Sequence, residues 1–188
     1  EGIDLLPQTQ FVEGLRMIKD EAEIAAIRKA CSISDQAFRD ALDFIKPGKT
    51  EIEIANFLDF RMRELGAAGL SFDTILASGI NSSKPHAHPM HKPVEAGEAI
   101  TMDFGCLYDH YVSDMTRTGI GHGIGLDIHE EPYFSQTSKE VIKSGMVLTD
   151  EPGIYIEGKY GVRIEDDILI TDNGCELLTL APKELIVI

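Results

Sequence analysis

Four carboxylates in this chain form two matched pairs, and acidic pairs of this kind are what hold divalent metal ions. Asp103 and Asp114 lie in ITMDFGCLYDHYVSDMTRT; Glu151 and Glu165 lie in LTDEPGIYIEGKYGVRIEDDILI. Each stretch reads as a β-hairpin. A turn centred between Tyr108 and Asp109 sets 103 opposite 114, and a turn centred on Gly158 sets 151 opposite 165. Directly opposed residues share a sheet face with Cβ atoms roughly 4.5–5.5 Å apart. Like charges at that range repel and resist ionising together. A pair of divalent cations gives them a reason to be there. One such pair alone would read as solvated acids on an outer sheet face. The same pairing in a second hairpin, with a histidine motif between the two, favours the metals.

The alternation of residue types agrees. From Tyr160 to Ile170, Val162, Ile164, Ile168 and Ile170 make one apolar face interrupted by Asp166, and Arg163, Glu165 and Asp167 make the other. From Ala99 to Cys106, Ile100, Met102, Phe104 and Cys106 point one way and Thr101, Asp103 and Gly105 the other. A strand that buries one face gives the other to water or to a site. Between the hairpins lies GHGIGLDIHE, with His122 and His129. His122 adds one nitrogen to four carboxylates. The result is an oxygen-rich site for two metals, suited to manganese or a similar first-row ion; a pure zinc site uses more nitrogen or sulfur. Upstream, KPHAHPMHKP sets His86, His88 and His91 in a Pro-rich loop, of which one need be functional.

These stretches together (DFG…YxSDxTRT, GHGIGLxIHExP, GMVLTxEPGIY and GVRIEDD) resemble the catalytic domain of the Xaa-Pro peptidases, prolidase and aminopeptidase P. Those are dinuclear metallopeptidases of the α+β pita-bread fold, a curved antiparallel sheet with helices on its outer face. The resemblance places five metal ligands on Asp103, Asp114, His122, Glu151 and Glu165, with Asp114 and Glu165 bridging two ions. These would be manganese, with cobalt or zinc as alternatives. It makes His86 and His129 substrate-side catalytic histidines and Glu151 the general base. Arg163 and Tyr155 would support the ligand shell. The implied reaction is hydrolysis of the bond between an N-terminal residue and proline by a metal-bridging hydroxide. The implied substrate is a small peptide with proline second, and the implied assembly is a homodimer. The alternative is a non-catalytic pita-bread module that binds peptides or proteins.

The chain departs from that family in two places. The family has an N-terminal domain of its own, whereas EGIDLLPQTQFVEGLRMIKDEAEI looks like an inter-domain linker entering the first catalytic helix. Residues 1–19 are thus expected to be linker and 20–188 the catalytic domain, with the N-terminal domain absent. Second, TRT runs at once into GIGHGIGL, where family members hold several dozen residues. Their further active-site histidine falls on Thr118. The second half of the fold is expected to be incomplete, with a break in the chain between Arg117 and His122. The apolar faces of strands near 146–156 and 160–170 would then meet water.

The supporting elements read as α then β. Residues 20–45 carry apolar residues at helical spacing, stopped by Pro47 and Gly48, and Thr50-x-x-Glu53 is a capping box opening a helix that stops at Gly66. A strand at 72–77 leads to the histidine loop, and CELLT and ELIVI read as short strands. At 188 residues and 43% hydrophobic the chain can bury one core, and its net charge of −15 argues against nucleic acid or anionic membrane as partners. Cys31, Cys106 and Cys175 form no CxxC and read as buried, reduced thiols of a cytoplasmic protein. No run approaches membrane-spanning length.

Overall fold

The computed structural model of the chain describes residues 6–115, 121–134 and 138–187. A short helix, α1 (Phe11–Met17), forms within the stretch read from sequence as linker. It is tied down by charge: Arg16 pairs with Asp127 at 2.7 Å and with Glu130 at 2.6 Å, and buried Lys19 pairs with Glu130 at 2.6 Å.

Asp20 accepts the backbone N–H groups of Ala22 and Glu23 while the Glu23 carboxylate accepts that of Asp20, and this reciprocal cap opens α2 (Glu21–Phe44). Thr50 and Glu53 do the same for α3 (Glu51–Glu64). The two helices pack through small and branched residues, among them Ala30, Ile33, Ala37, Ala41, Ile54 and Leu58, over a core that also takes in Leu76, Phe104 and Cys106. Ile24, Ile27 and Cys31 of α2 reach a second core with Val112, Ile124, Val147 and Leu169. One helix thus backs both hairpin regions.

The strands are β1 (Gly69–Leu70), β2 (Ile75–Ser78), β3 (Ile100–Asp103), β4 (Cys106–Tyr108), β5 (Tyr111–Val112), β6 (His122–Gly123), β7 (Glu130–Tyr133), β8 (Val147–Asp150), β9 (Gly153–Ile156), β10 (Tyr160–Arg163), β11 (Asp166–Thr171) and β12 (Gly174–Leu177). They pair antiparallel throughout, in the orders β1-β4-β5, β2-β3, β9-β10 and β12-β11-β8-β6-β7.

Several expectations need correction. The first hairpin turns one residue later than the sequence reading has it. Leu107 pairs with Val112 and Tyr108 with Tyr111, and both turn residues, Asp109 (φ 48°) and His110 (φ 71°), adopt positive φ. A tight hairpin turn of this kind requires positive φ at both centres, which Asp and His tolerate far better than a bulky Tyr. The stretch from 160 to 170 is two strands, and its polar face is the buried one. Gly161, Arg163, Glu165 and Asp167 are buried, while Val162 and Ile164 are 47% and 44% exposed. The polar face turns inward because β10 docks through it: Thr101 donates to the Gly161 carbonyl at 2.8 Å, and Gly161 N–H donates to Ser82 Oγ at 3.1 Å. The expected exposure of apolar faces holds for β9 and β10, with Ile154 71% exposed, but Val147 and Leu148 of β8 are buried. The strand expected at 72–77 spans 75–78, and residues 184–187 form no strand. Cys31 and Cys106 are buried, but Cys175 lies on exposed β12. Thr118 and most of the expected break between Arg117 and His122 lie outside the described residues.

Candidate metal centre

Asp103 ends β3 and Asp114 follows β5. With Phe104 bridged to Met115, Asp114 lies across from Gly105 and diagonal to Asp103. The displacement is an even number of residues, so the two acids keep a common face and stay within mutual reach. Gly105 permits the approach, since a Cβ there would sit 2.1 Å from the Ser113 carbonyl oxygen. In the second hairpin Val162 pairs with Ile154 and Arg163 with Gly153, and Ile164 N–H donates to the Pro152 carbonyl at 3.2 Å. That register carries on to 151 opposite 165, around Gly158 at φ 70°.

All five candidate ligands are buried: Asp103 and Asp114 at 0%, Glu151 at 1%, Glu165 at 4% and His122 at 7% exposure. The His122 ring has a fixed orientation. Its Nδ1 lies 3.0 Å from the Gly123 carbonyl, which can only accept, so Nδ1 donates. Nε2 then faces Glu151 Oε1 at 3.2 Å and Asp114 Oδ2 at 3.8 Å. A metal-binding histidine is commonly oriented in this way through its other nitrogen. Thr149 Oγ donates to Glu151 Oε1 at 2.7 Å and accepts the His122 backbone N–H at 3.1 Å, linking two candidate ligands.

Both carboxyl oxygens of Asp114 and of Glu165, Oε2 of Glu151 and Nε2 of His122 have no hydrogen-bond partner among the described residues. Burial pushes the Asp114 carboxyl well above its ordinary value, and the negative charges of Asp103, Asp167 and Glu151 add to that. Burial does the same to Glu165, followed by Asp114, Glu151, Asp167 and Asp103. Each of these carboxyls thus feels the charge of the others. Among the described residues, no three His, Cys, Asp or Glu side chains are closed into a shell that would hold an ion as they stand.

Arg163 supplies positive charge from β10. It pairs with Asp103, and its Nη1 donates to the Tyr155 hydroxyl at 2.7 Å. His129 stacks edge-on to His122 with ring centroids 4.4 Å apart. His86 and His88 line a cleft of about 220 Å³ with Asp103, His129 and the apolar Phe72, Ile75 and Ile128; His91 is exposed and is not part of it.

Two residues not chosen from sequence belong beside the site. Thr149 is one. Asp167 is the other: it is fully buried, its Oδ2 accepts the Asp114 backbone N–H at 3.1 Å and the Cys31 thiol at 3.2 Å, and burial lifts its carboxyl to about 7. Its position two residues after Glu165 was the available signal, since alternation puts both on one face.

The model of metallopeptidase family M24 matches residues 25–120 and 119–172, two stretches that meet where the sequence runs from TRT into GIGHGIGL. An uncharacterized peptidase of Bacillus subtilis is 39% identical over 241 aligned residues, covering 98% of this chain and 68% of that protein. The alignment exceeds the 188 residues of this chain, so the relative holds further residues inside the matched region. The Xaa-Pro dipeptidase of Pyrococcus furiosus is 37% identical, over 93% of this chain and 66% of its own length. Among solved structures, the Xaa-Pro dipeptidase from Bacillus anthracis superposes with a TM-score of 0.93 at 38% identity, over 97% of this chain and 67% of that one. The prolidase from Pyrococcus furiosus gives 0.87 at 35%, over 92% and 68%. The fold is the α+β pita-bread fold, and the chain spans about two thirds of the length of these relatives.

Proposed function

The chain belongs to metallopeptidase family M24, and from that premise we propose that it hydrolyses the peptide bond between an N-terminal residue and proline, as an Xaa-Pro dipeptidase or aminopeptidase. In this reading residues 20–188 are the catalytic domain and 1–19 its linker. The observation that carries the reading is that Asp114, Glu165, Glu151 Oε2 and His122 Nε2 are buried together with no hydrogen-bond partner among the described residues. Buried charge is tolerated when it is paired or binds metal. Four carboxylates with one imidazole fit two manganese ions, with cobalt or zinc as alternatives.

Asp103, Asp114, His122, Glu151 and Glu165 would hold the ions, with Asp114 and Glu165 as the residues shared between them. Divalent ions held by these residues would supply Lewis acidity toward the scissile carbonyl and lower the pKa of the attacking water. Glu151 takes up the proton released as the carbonyl is attacked and delivers it to the departing amide nitrogen. His86 and His129, both lining the cleft, donate hydrogen bonds to the oxyanion and hold the substrate. Phe72, Ile75 and Ile128 provide the apolar wall a prolyl ring needs. Arg163, hydrogen-bonded to the Tyr155 hydroxyl, pairs with the Asp103 carboxylate and holds its orientation.

Among the described residues no helix is long and apolar enough to cross a membrane. The three cysteines are free thiols, in keeping with a cytoplasmic enzyme; a homodimer is the expected assembly. The test is to load purified protein with manganese, count bound ions, and assay an Xaa-Pro dipeptide beside the same dipeptide lacking proline. Two bound ions with proline-dependent cleavage is the expected result. Metal binding without cleavage would leave a peptide-binding module instead, and absence of metal binding would remove the reading altogether.

A further inference from the structure

Glu51 stands in the first turn of α3, where an acid ordinarily faces water and complements the helix dipole. This one is 0% exposed. Its Oε1 accepts the backbone N–H of Ser78 at 2.7 Å and the Ser78 hydroxyl at 2.9 Å. Its Oε2 accepts the Asn81 amide at 2.9 Å and the backbone N–H of Met90 at 3.0 Å. A carboxylate has four acceptor sites, and donors fill all of them here. The backbone extends the same join, with Glu51 N–H donating to the Lys92 carbonyl at 3.0 Å and Ile52 N–H to that of Met90 at 3.1 Å.

Residues 78, 81 and 90 bracket the segment that carries His86 and His88 into the cleft. None of residues 84–92 lies in a helix or strand, so no ladder of its own fixes this segment. The Asn81 amide reaches on to the His88 carbonyl at 3.3 Å. We infer that Glu51 is the positioning residue of the histidine loop: one buried carboxylate joins the loop's two ends and so sets where His86 stands in the cleft. The inference rests on the peptidase reading for the role of His86 but not for the geometry of the loop. Chemistry selects the residue type. Glutamine keeps the shape but turns an NH2 group toward two donors, and aspartate is one methylene too short to reach both ends.

The test compares the whole chain with Glu51→Gln, Asn81→Ala, His86→Ala and the Glu51→Gln/His86→Ala double variant. Measured are kcat and KM on an Xaa-Pro dipeptide with manganese, manganese binding, and the NMR signal of the His86 ring in metal-free protein. His86→Ala should lower kcat about 100-fold, the scale of losing one oxyanion donor. Glu51→Gln should come within a few fold of it (~100-fold) at similar KM and manganese affinity. The double variant should be no slower than His86→Ala alone, and the His86 signal should broaden or split. Asn81→Ala should do the same to a smaller extent, and it decides the matter if Glu51→Gln does not fold. Multiplicative losses in the double variant, or an unmoved His86 signal in the folded variants, overturn the positioning role. Full kcat in His86→Ala removes His86 from the reaction, and the ring signal alone then decides whether Glu51 places it.

Discussion

Glu165 and His129 differ in what removing them leaves behind. Both oxygens of Glu165 are buried with no hydrogen-bond partner among the described residues, and acids surround it. In the proposed peptidase site a neutral amide cannot replace the charge of this carboxylate, so Glu165→Gln should abolish peptidase activity and weaken manganese binding together, read by calorimetry and metal content. His129 touches the His122 ring from the side and opens on the cleft. His129→Ala should therefore lower turnover about 100-fold with both ions retained; loss of metal from that variant would place His129 among the ligands instead. Arg163 is a third case. Its guanidinium is 1% exposed against Asp103 at 0%. Truncating one member of a buried pair strands the other, at about 3 kcal/mol or more.

Among the elements, the ionic anchor of α1 and the bare face of the second hairpin make contrasting predictions. Lys19 is 1% exposed and its partner Glu130 7%. Burial pulls the Lys19 ammonium below its ordinary pKa despite Glu130, so desolvation outweighs attraction in this pair. Such a pair fixes geometry more than it adds stability, yet Lys19→Met still leaves Glu130 partly stranded and should cost about 3 kcal/mol in urea unfolding. Glu130 adjoins His129 and packs on Gly125, where a Cβ would lie 2.6 Å from its Oε1. On β9 and β10 the opposite holds. Ile154 and Val162 are directly paired, 71% and 47% exposed, beside Ile164 at 44%. A contiguous apolar face of this kind invites association. Ile154→Lys with Val162→Glu puts opposite charges across the ladder and should reduce self-association in sedimentation while moving stability by less than about 1 kcal/mol. A large loss of stability would mean the face is already packed.

For the whole molecule, the buried acids set the pH dependence. Asp114 and Glu165 are held well above ordinary carboxylate values, and Asp167 is lifted to about 7, in each case chiefly by burial. A raised folded-state pKa means the folded protein binds more protons than the unfolded chain between the two values. Stability from these groups is therefore complete below the ordinary carboxylate pKa near 4 and is lost as pH rises through the folded values, toward 7 and beyond. In chelator the melting temperature should fall between pH 5 and pH 8. Manganese binds the deprotonated acids, so it should raise the melting temperature more at pH 8 than at pH 5; a hundredfold excess over Kd at the binding pH stabilises the fold by about 2.7 kcal/mol. Equal melting temperatures at the two pH values in chelator would show that the acids are not buried together without cations.

Much of the site was legible in the sequence because alternation and turn chemistry are local. Gly158 can take positive φ, and the register of residues 151 and 165 follows from it. Asp103 and Asp114 share a face under either turn, because moving the turn by one residue shifts the pairing by two. The Thr50–Glu53 capping box and both long helices were equally readable. Which face of 160–170 turns inward was not, because period two only says that the faces differ. The docking of Gly161 against Thr101 and Ser82 decides it. Glu51 and Glu130 read as ordinary surface acids, one in a helical first turn and the other beside His129. Their partners, Ser78, Asn81 and Met90 for one and Arg16 and Lys19 for the other, are remote in the chain. Residue types and local periods determined which groups could bind metal, but only packing between distant segments decided which acids lost their water and which donors met them.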